Sequence, residues 1–315
     1  MAYPIESFVD PRPSSSDACL TGNWSELLSD LGCIGPMWTL TSAPGIELDY
    51  RADLTGMRVR DHMGLLSRHG HALRLMLNRC HWLRPTADNP GTADPEQVSI
   101  KDRSGCPLLT LRPDSRDQGF LFRALLRVHT GAAREQRSTP ESLLNRAPRA
   151  MRRTQGTTAL DTPSGGISDG IDGRDVIELS GRTAFDPCEL RDRGRAVAVD
   201  PNLVPCALEY LVDQVVPLRL ITGNQGVVQR LDAALYSHRF EGYWQRLGGK
   251  GISLRLDTRA LSTAWVFQRA ASPSLLRELR LYDADGRAMA ILGVQPTPQG
   301  TEPPVWRTVI NALLT

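Results

Sequence analysis

Lysine is almost missing from this sequence: Lys101 and Lys250 are the only two among 37 basic residues, and the rest are Arg. That skew fits a GC-rich coding bias and carries little functional weight. The net charge of +2 is too small to draw the whole molecule toward nucleic acid or an anionic membrane. No apolar run approaches the roughly 18 residues needed to span a bilayer. The start, MAYPIESFVDPRPSSS, lacks the basic and apolar regions of a secretory signal, so no membrane insertion is expected and the expected compartment is the cytoplasm. Cys19, Cys33, Cys80, Cys106, Cys188 and Cys206 form no CxxC pair and are followed by no His pair at zinc-finger spacing. A structural zinc is therefore not expected, and reduced thiols buried as small apolar groups are. There is no P-loop, GxGxxG, nucleophile elbow or HExxH.

What is present is a core and a repeat. Hydrophobic residues make up 41% of the chain, enough to bury a substantial interior. A shift of 181 residues lays 36–75 on 217–256 without a gap. Pro36, Thr41, Gly45, Ala52, Leu54, Arg58, Leu66, Gly70, Leu73, Arg74 and Leu75 are identical to their counterparts. Composition alone would give about two or three matches over such a stretch. The same shift places Asp102 and Gly105 of KDRSGCPLLTL on Asp283 and Gly286 of YDADGRAMAIL.

Each copy opens with a short amphipathic helix: Leu27, Leu28 and Leu31 in the first, Leu208, Leu211, Val212 and Val215 in the second. Alternating segments follow (MWTLT, GIELDY, HALRLML, PLLTL; LRLIT, GVVQRL, GISLRLD, ELRLYD), and an amphipathic helix closes each copy. The DRSG and DADG pieces read as hairpin turns. The expected class is α+β: two tandem copies of an antiparallel β-sheet unit with flanking helices. The expected organisation is a loose tail over 1–23, a first repeat over 24–127, a flexible Arg/Ser/Gly/Pro linker over 128–175, and a lead-in plus second repeat over 176–315.

The second copy runs LRLITGNQGVVQ, GISLRLDTRALSTAWVFQRA, LRELRLYDADGRAMAILG and then PVWRTVINALL. This resembles the C-terminal half of the cytoplasmic haemin-handling HemS/ChuS/PhuS family, which carries a similar GN-x-G strand pair, a Trp-Val strand, a SLELFDADG hairpin and a closing helix that begins with Trp-Arg. The first copy is similar to the family's first half, with DHMGLLSRHGHALRLMLN where the family has a Gly-Leu strand followed by DLRLFL. The resemblance implies one haem bound in a cleft between the C-terminal sheet and the helices and linker beside it. It implies an axial His from the segment leading into repeat two, and an Arg from the DLRLF strand on the opposite side of the iron.

Carried over, that Arg is Arg74, where it would hold a water or peroxide or pair with a propionate. The implied axial His falls within about 160–190, where the sequence has none. His129 and Cys188 are the substitute axial candidates, since haem iron needs a strong donor. Arg269 is a propionate candidate, all that survives with Gln268 of a basic pair after Trp-Val. Cys106-Pro107 matches the Cys-Pro dipeptide of some haem-responsive proteins, over two residues only. His69 and His71 share a strand face and could hold a metal, but no third donor is placed by the sequence, so surface histidines are expected and no metal beyond haem iron.

The resemblance thus implies haem binding and trafficking in iron acquisition, with haem as cofactor and a haem oxygenase or haem-uptake component as partner. Two alternatives stand beside it. One is a haem-degrading enzyme, for which no catalytic residue is assigned. The other is a duplicated scaffold that has lost haem and binds another protein.

Overall fold

The computed structural model describes residues 24–60, 62–68, 70–86, 97–136, 171–181, 196–271 and 274–315. The first copy contributes α1 (Trp24–Ile34), β1 (Pro36–Ala43), β2 (Ile46–Asp53), β3 (Arg58–Arg60), β4 (Met63–Arg68), β5 (His71–Met76), β6 (Trp82–Thr86), β7 (Gln97–Lys101), β8 (Pro107–Pro113) and α2 (Arg116–Gln136). Next come a short helix α3 (Gly173–Leu179) and β9 (Ala196–Val199). The second copy follows with α4 (Val204–Asp213), β10 (Pro217–Asn224), β11 (Val227–Ala234), β12 (Ser237–Glu241), β13 (Trp244–Gly249), β14 (Ile252–Asp257), β15 (Thr263–Ala271), β16 (Ser274–Tyr282), β17 (Ala288–Val294) and α5 (Pro304–Leu313).

The α+β class and the duplication hold, and matching turns share their chemistry. Asp102 and Asp283 each accept from the backbone amide four residues on, both at 2.8 Å, and Gly105 and Gly286 both adopt positive φ. Gly70 (φ +77°) and Gly251 (φ +67°) make the equivalent β4–β5 and β13–β14 turns, a backbone region that a Cβ disfavours.

The copies are not side by side. One sheet has eight strands in the order β12-β13-β14-β2-β1-β8-β7-β6, and the other has nine in the order β3-β4-β5-β11-β10-β17-β16-β15-β9. We call these sheets A and B. Each copy has given its third-to-fifth strands to the sheet begun by the other. The register of the two junctions is the same: Arg74 lies opposite Val228, and Arg255 lies opposite Glu47.

The inner faces of the sheets pack on each other as two apolar clusters. One gathers Leu48, Leu220, Leu254, Leu256 and Leu292 beneath α4 and α5, with Trp306 fully buried. The other gathers Met37, Leu73, Leu75, Ile100 and Leu111 beneath α1 and α2, with Phe122 fully buried. A polar seam joins them. Gln229 bonds Thr41 at 2.7 Å, Thr39 at 3.2 Å and His71 at 3.2 Å, and the Tyr50 ring lies 4.3 Å from that of His71.

Several expectations need correcting. His71 is 3% exposed, so it is not a surface histidine; burial, with Arg230 nearby, pushes its pKa down to about 3. Its strand has both faces covered, so the inward side chains of β5 include His71 as well as the leucines. His69 lies outside the described residues. Of the cysteines, Cys80 is buried and its thiol is pushed up to about 12 by desolvation, but Cys33, Cys106 and Cys206 are exposed. Helix α2 continues through Gln136, so the segment expected as linker from 128 starts as helix, because Leu125 and Leu126 carry its apolar stripe up to that point. The segment also contains α3, capped by Asp172, whose side chain accepts from the Arg174 amide at 3.0 Å. Residues 137–170 lie outside the described residues, as does the tail over 1–23. No helix among the described residues is long and apolar enough to cross a membrane.

Candidate functional site

The two sheets differ in what covers their outer faces. On sheet B, strand alternation turns Ala72, Arg74 and Met76 of β5 outward, with Val228 of β11, Ile221 of β10 and Ile291 of β17 beside them. Trp265, Phe267 and Tyr282 continue this face across β15 and β16. These side chains form a third apolar cluster, in which Val228 is fully buried and Ile221, Ile291 and Tyr282 are 1% exposed.

Residues 171–179 close over them. Ile171 and Leu179 pack into the cluster with Val176 against it, and α3 lies on β10 and β17. The expectation that Arg74 points away from the main core is met, yet the face it points along is a buried second layer. The Arg74 guanidinium donates to the Ile171 carbonyl oxygen at 3.1 Å.

A buried cluster of charges sits beside that layer. Arg280 is held by Glu178, by Glu278 at 2.9 Å and by Asp175 at 3.3 Å, and its guanidinium stacks over Phe267 at 4.8 Å. Burial alone would oppose its charge, but the three carboxylates outweigh burial and raise its pKa. The Tyr282 hydroxyl donates to Glu178 at 2.5 Å; burial and then the Glu178 charge raise the phenol pKa, keeping it protonated. Sequence reasoning missed this cluster. Its one signal was that the LRLYDADG hairpin carries Arg280 and Tyr282 where the resembled SLELFDADG has Glu and Phe.

The other sequence-derived residues do not gather around Arg74. His129 sits on α2 with Nε2 2.9 Å from Asp30 of α1, and these helices pack on the Leu73–Leu75 side of sheet B, across the sheet from Arg74. Arg269 lies on β15 opposite Leu276, and its side chain is outside what the structure describes. Cys188 is outside the described residues. Among the described residues, no cluster of three His, Cys, Asp or Glu side chains is arranged to hold a metal ion.

Comparison with known proteins supports the resemblance. Residues 186–313 match the family described as haemin-degrading HemS.ChuX domain. No curated protein matches the sequence. Among solved structures, the chain is similar to Escherichia coli ChuS, described as a haem oxygenase, with 18% identity, a TM-score of 0.66 and coverage of 96% of this chain and 90% of that one. It is also similar to apo-PhuS from Pseudomonas aeruginosa, described as a haem-binding protein, with 16% identity, a TM-score of 0.67 and coverage of 95% and 87%. The fold is thus similar to that of ChuS and PhuS, and residues 186–313 carry the match to the haemin-degrading HemS.ChuX domain.

Proposed function

We propose that this chain binds haem on the outer face of sheet B and carries it through the cytoplasm to a haem-processing partner such as a haem oxygenase. The residues suit such a ligand in two respects. Ile221, Val228, Trp265, Phe267 and Ile291 make an apolar, aromatic floor for a flat macrocycle, and the guanidinium of Arg74 lies at its border. The described part of this face presents no His; the side chains there able to ligate iron are Met76 and Tyr282, with Cys188 further along the lead-in. A haem bound here would supply iron and a planar ring with two propionates. The chain supplies the floor and a fixed positive charge. Residues 171–179 rest on this floor in the structure, so haem binding requires them to move.

The observation that carries this reading is the contrast at one pair of equivalent residues. Arg255 is spent on Glu47 at 2.7 Å. Arg74 lies opposite Val228 in the strand register, and its guanidinium reaches the Ile171 carbonyl in the segment that leads into repeat two.

The test is hemin titration of the wild type, Arg74→Ala and Arg255→Ala. The wild type gives a sharp Soret shift saturating at one equivalent. Arg74→Ala weakens binding by about 10- to 100-fold, equivalent to the 1.5–3 kcal/mol of a hydrogen bond to a charged group, and Arg255→Ala leaves it unchanged. Equal, negligible effects in both would make Arg74 an ordinary strand residue. A broad free-hemin spectrum in the wild type would leave the non-haem scaffold as the reading.

A further inference from the structure

The segment lying on the floor has the chemistry of the ligand it excludes. Its apolar body, Ile171 and Leu179 with Val176 against them, joins the cluster that holds Trp265, Phe267 and Ile291. Its acidic edge is formed by Asp175 and Glu178, three apart on α3 and so on one helix face. Both are buried, at 1% and 6% exposure, and both converge on Arg280. Burying two carboxylates costs several kcal/mol each unless good partners await them. Here the partners include one guanidinium on the sheet, already flanked by Glu278 and sitting on an aromatic ring, and the Tyr282 hydroxyl that donates to Glu178.

Nothing in the repeat demands this arrangement. The positions in copy one that match Glu278, Arg280 and Tyr282 are Gln97, Ser99 and Lys101, and among the described residues no helix covers them with acids. Among the described residues, the charged anchor lies on the face with the apolar floor.

We propose that residues 171–179 act as an internal stand-in for haem, and that Arg280 is the propionate anchor, its partners Asp175 and Glu178 being replaced by the two propionates when haem binds. This rests on the haem-binding reading and adds to it a specific second contact and a built-in competitor. Arg74 and Arg280 then hold opposite borders of the same site. They are released together, because the Ile171 carbonyl and the Asp175 and Glu178 carboxylates belong to one segment. The stand-in keeps the apolar floor out of water while no haem is bound. Apparent affinity is the intrinsic affinity scaled by the fraction of molecules in which the segment has left.

The test uses the full chain, hemin, and hemin dimethyl ester, whose propionates carry no charge. Asp175→Asn with Glu178→Gln removes the competing charges and leaves Arg280 in place. This double variant binds hemin about tenfold more tightly than the wild type, since the closed state is weakened. The wild type prefers hemin to its dimethyl ester, and adding Arg280→Gln to the double variant abolishes that preference. Hydrogen exchange gives a readout independent of affinity: the Val176 and Ser180 amides, bonded to the Asp172 and Val176 carbonyls, lose protection when hemin is added to the wild type. If the wild type binds hemin but the double variant binds no tighter, or α3 stays protected in the complex, the stand-in is wrong and the haem-binding reading survives. If neither wild type nor double variant binds hemin, both fall. Binding by the double variant alone supports the stand-in.

Discussion

Arg74 and Arg255 hold the same place in the two copies, at the two matching junctions between exchanged strands. Around Arg255 the outer face of sheet A is a half-exposed lattice of charges: Arg255 with Glu47, Arg112 with Asp49, and Arg51 with Asp114, the Trp38 indole also donating to Asp114 at 3.0 Å. Around Arg74 the corresponding positions are Val228 for Glu47, Ile221 for Leu40, Ile291 for Thr110 and Gly293 for Arg112, and α3 lies on top. The backbone is duplicated but the surface chemistry is not. One sheet kept a solvated face that satisfies itself, and the other acquired an apolar face that needs a cover. A ligand site is the economical reason for such divergence between matching surfaces.

Four measurements break or sharpen this comparison. The largest effect lies inside the molecule, where His71 of one half stands for Ile252 of the other. His71 is neutral when folded, with its pKa lowered to about 3, and has an ordinary value of 6.5 when unfolded. A depressed histidine gives stability that is complete above pH 6.5 and lost as pH falls toward 3, because only the unfolded state takes up the proton. The loss amounts to about 4–5 kcal/mol across that window. Denaturant unfolding between pH 7 and pH 4 shows it, and His71→Gln flattens that part of the profile. An unchanged slope in the variant would mean that other groups carry the pH dependence.

Next in size is the 10- to 100-fold difference in hemin affinity between Arg74→Ala and Arg255→Ala. Below that, Gly70→Ala and Gly251→Ala each cost about 1–2 kcal/mol, since both force a side chain into the left-handed region. Their added Cβ atoms would meet Asp232 O at 3.0 Å and Arg51 Cβ at 3.2 Å, so thermal unfolding gives near-equal losses. A marked inequality would show that the two turns are not equivalent. The smallest effect is that of Glu47→Gln, which breaks the half-exposed pair with Arg255 and costs at most about 1 kcal/mol.

Much of this was legible in the sequence. The alternation of Ile252, Leu254 and Leu256 announces β14, the Asp-x-x-Gly turns announce their hairpins, and the 181-residue shift announces the repeat. The exchange of strands was not legible. Leu73 and Leu75 present the same inward pattern as Leu254 and Leu256, so alternation cannot tell β5 whether to pair with β2 or with β11. The position of Arg74 followed from strand alternation, but the roof above it did not. In GRDVIEL nothing marks the acids as buried, and they become intelligible only beside Arg280, which is 102 residues from Glu178.

The exchange also bears on how the protein is made. Partners in the finished sheets lie far apart along the chain, 158 residues for His71 with Gln229 and 208 for Arg255 with Glu47. Pairings of such separation close slowly, and open strand edges attract other chains while they wait. When translation reaches the end of copy one, β5 has no neighbour beyond β4, and β2 none beyond β1. Two sheets have then been started and neither can be finished. The second half of the chain completes both, so two open strand edges persist through an interval that two separately closed sheets would not impose.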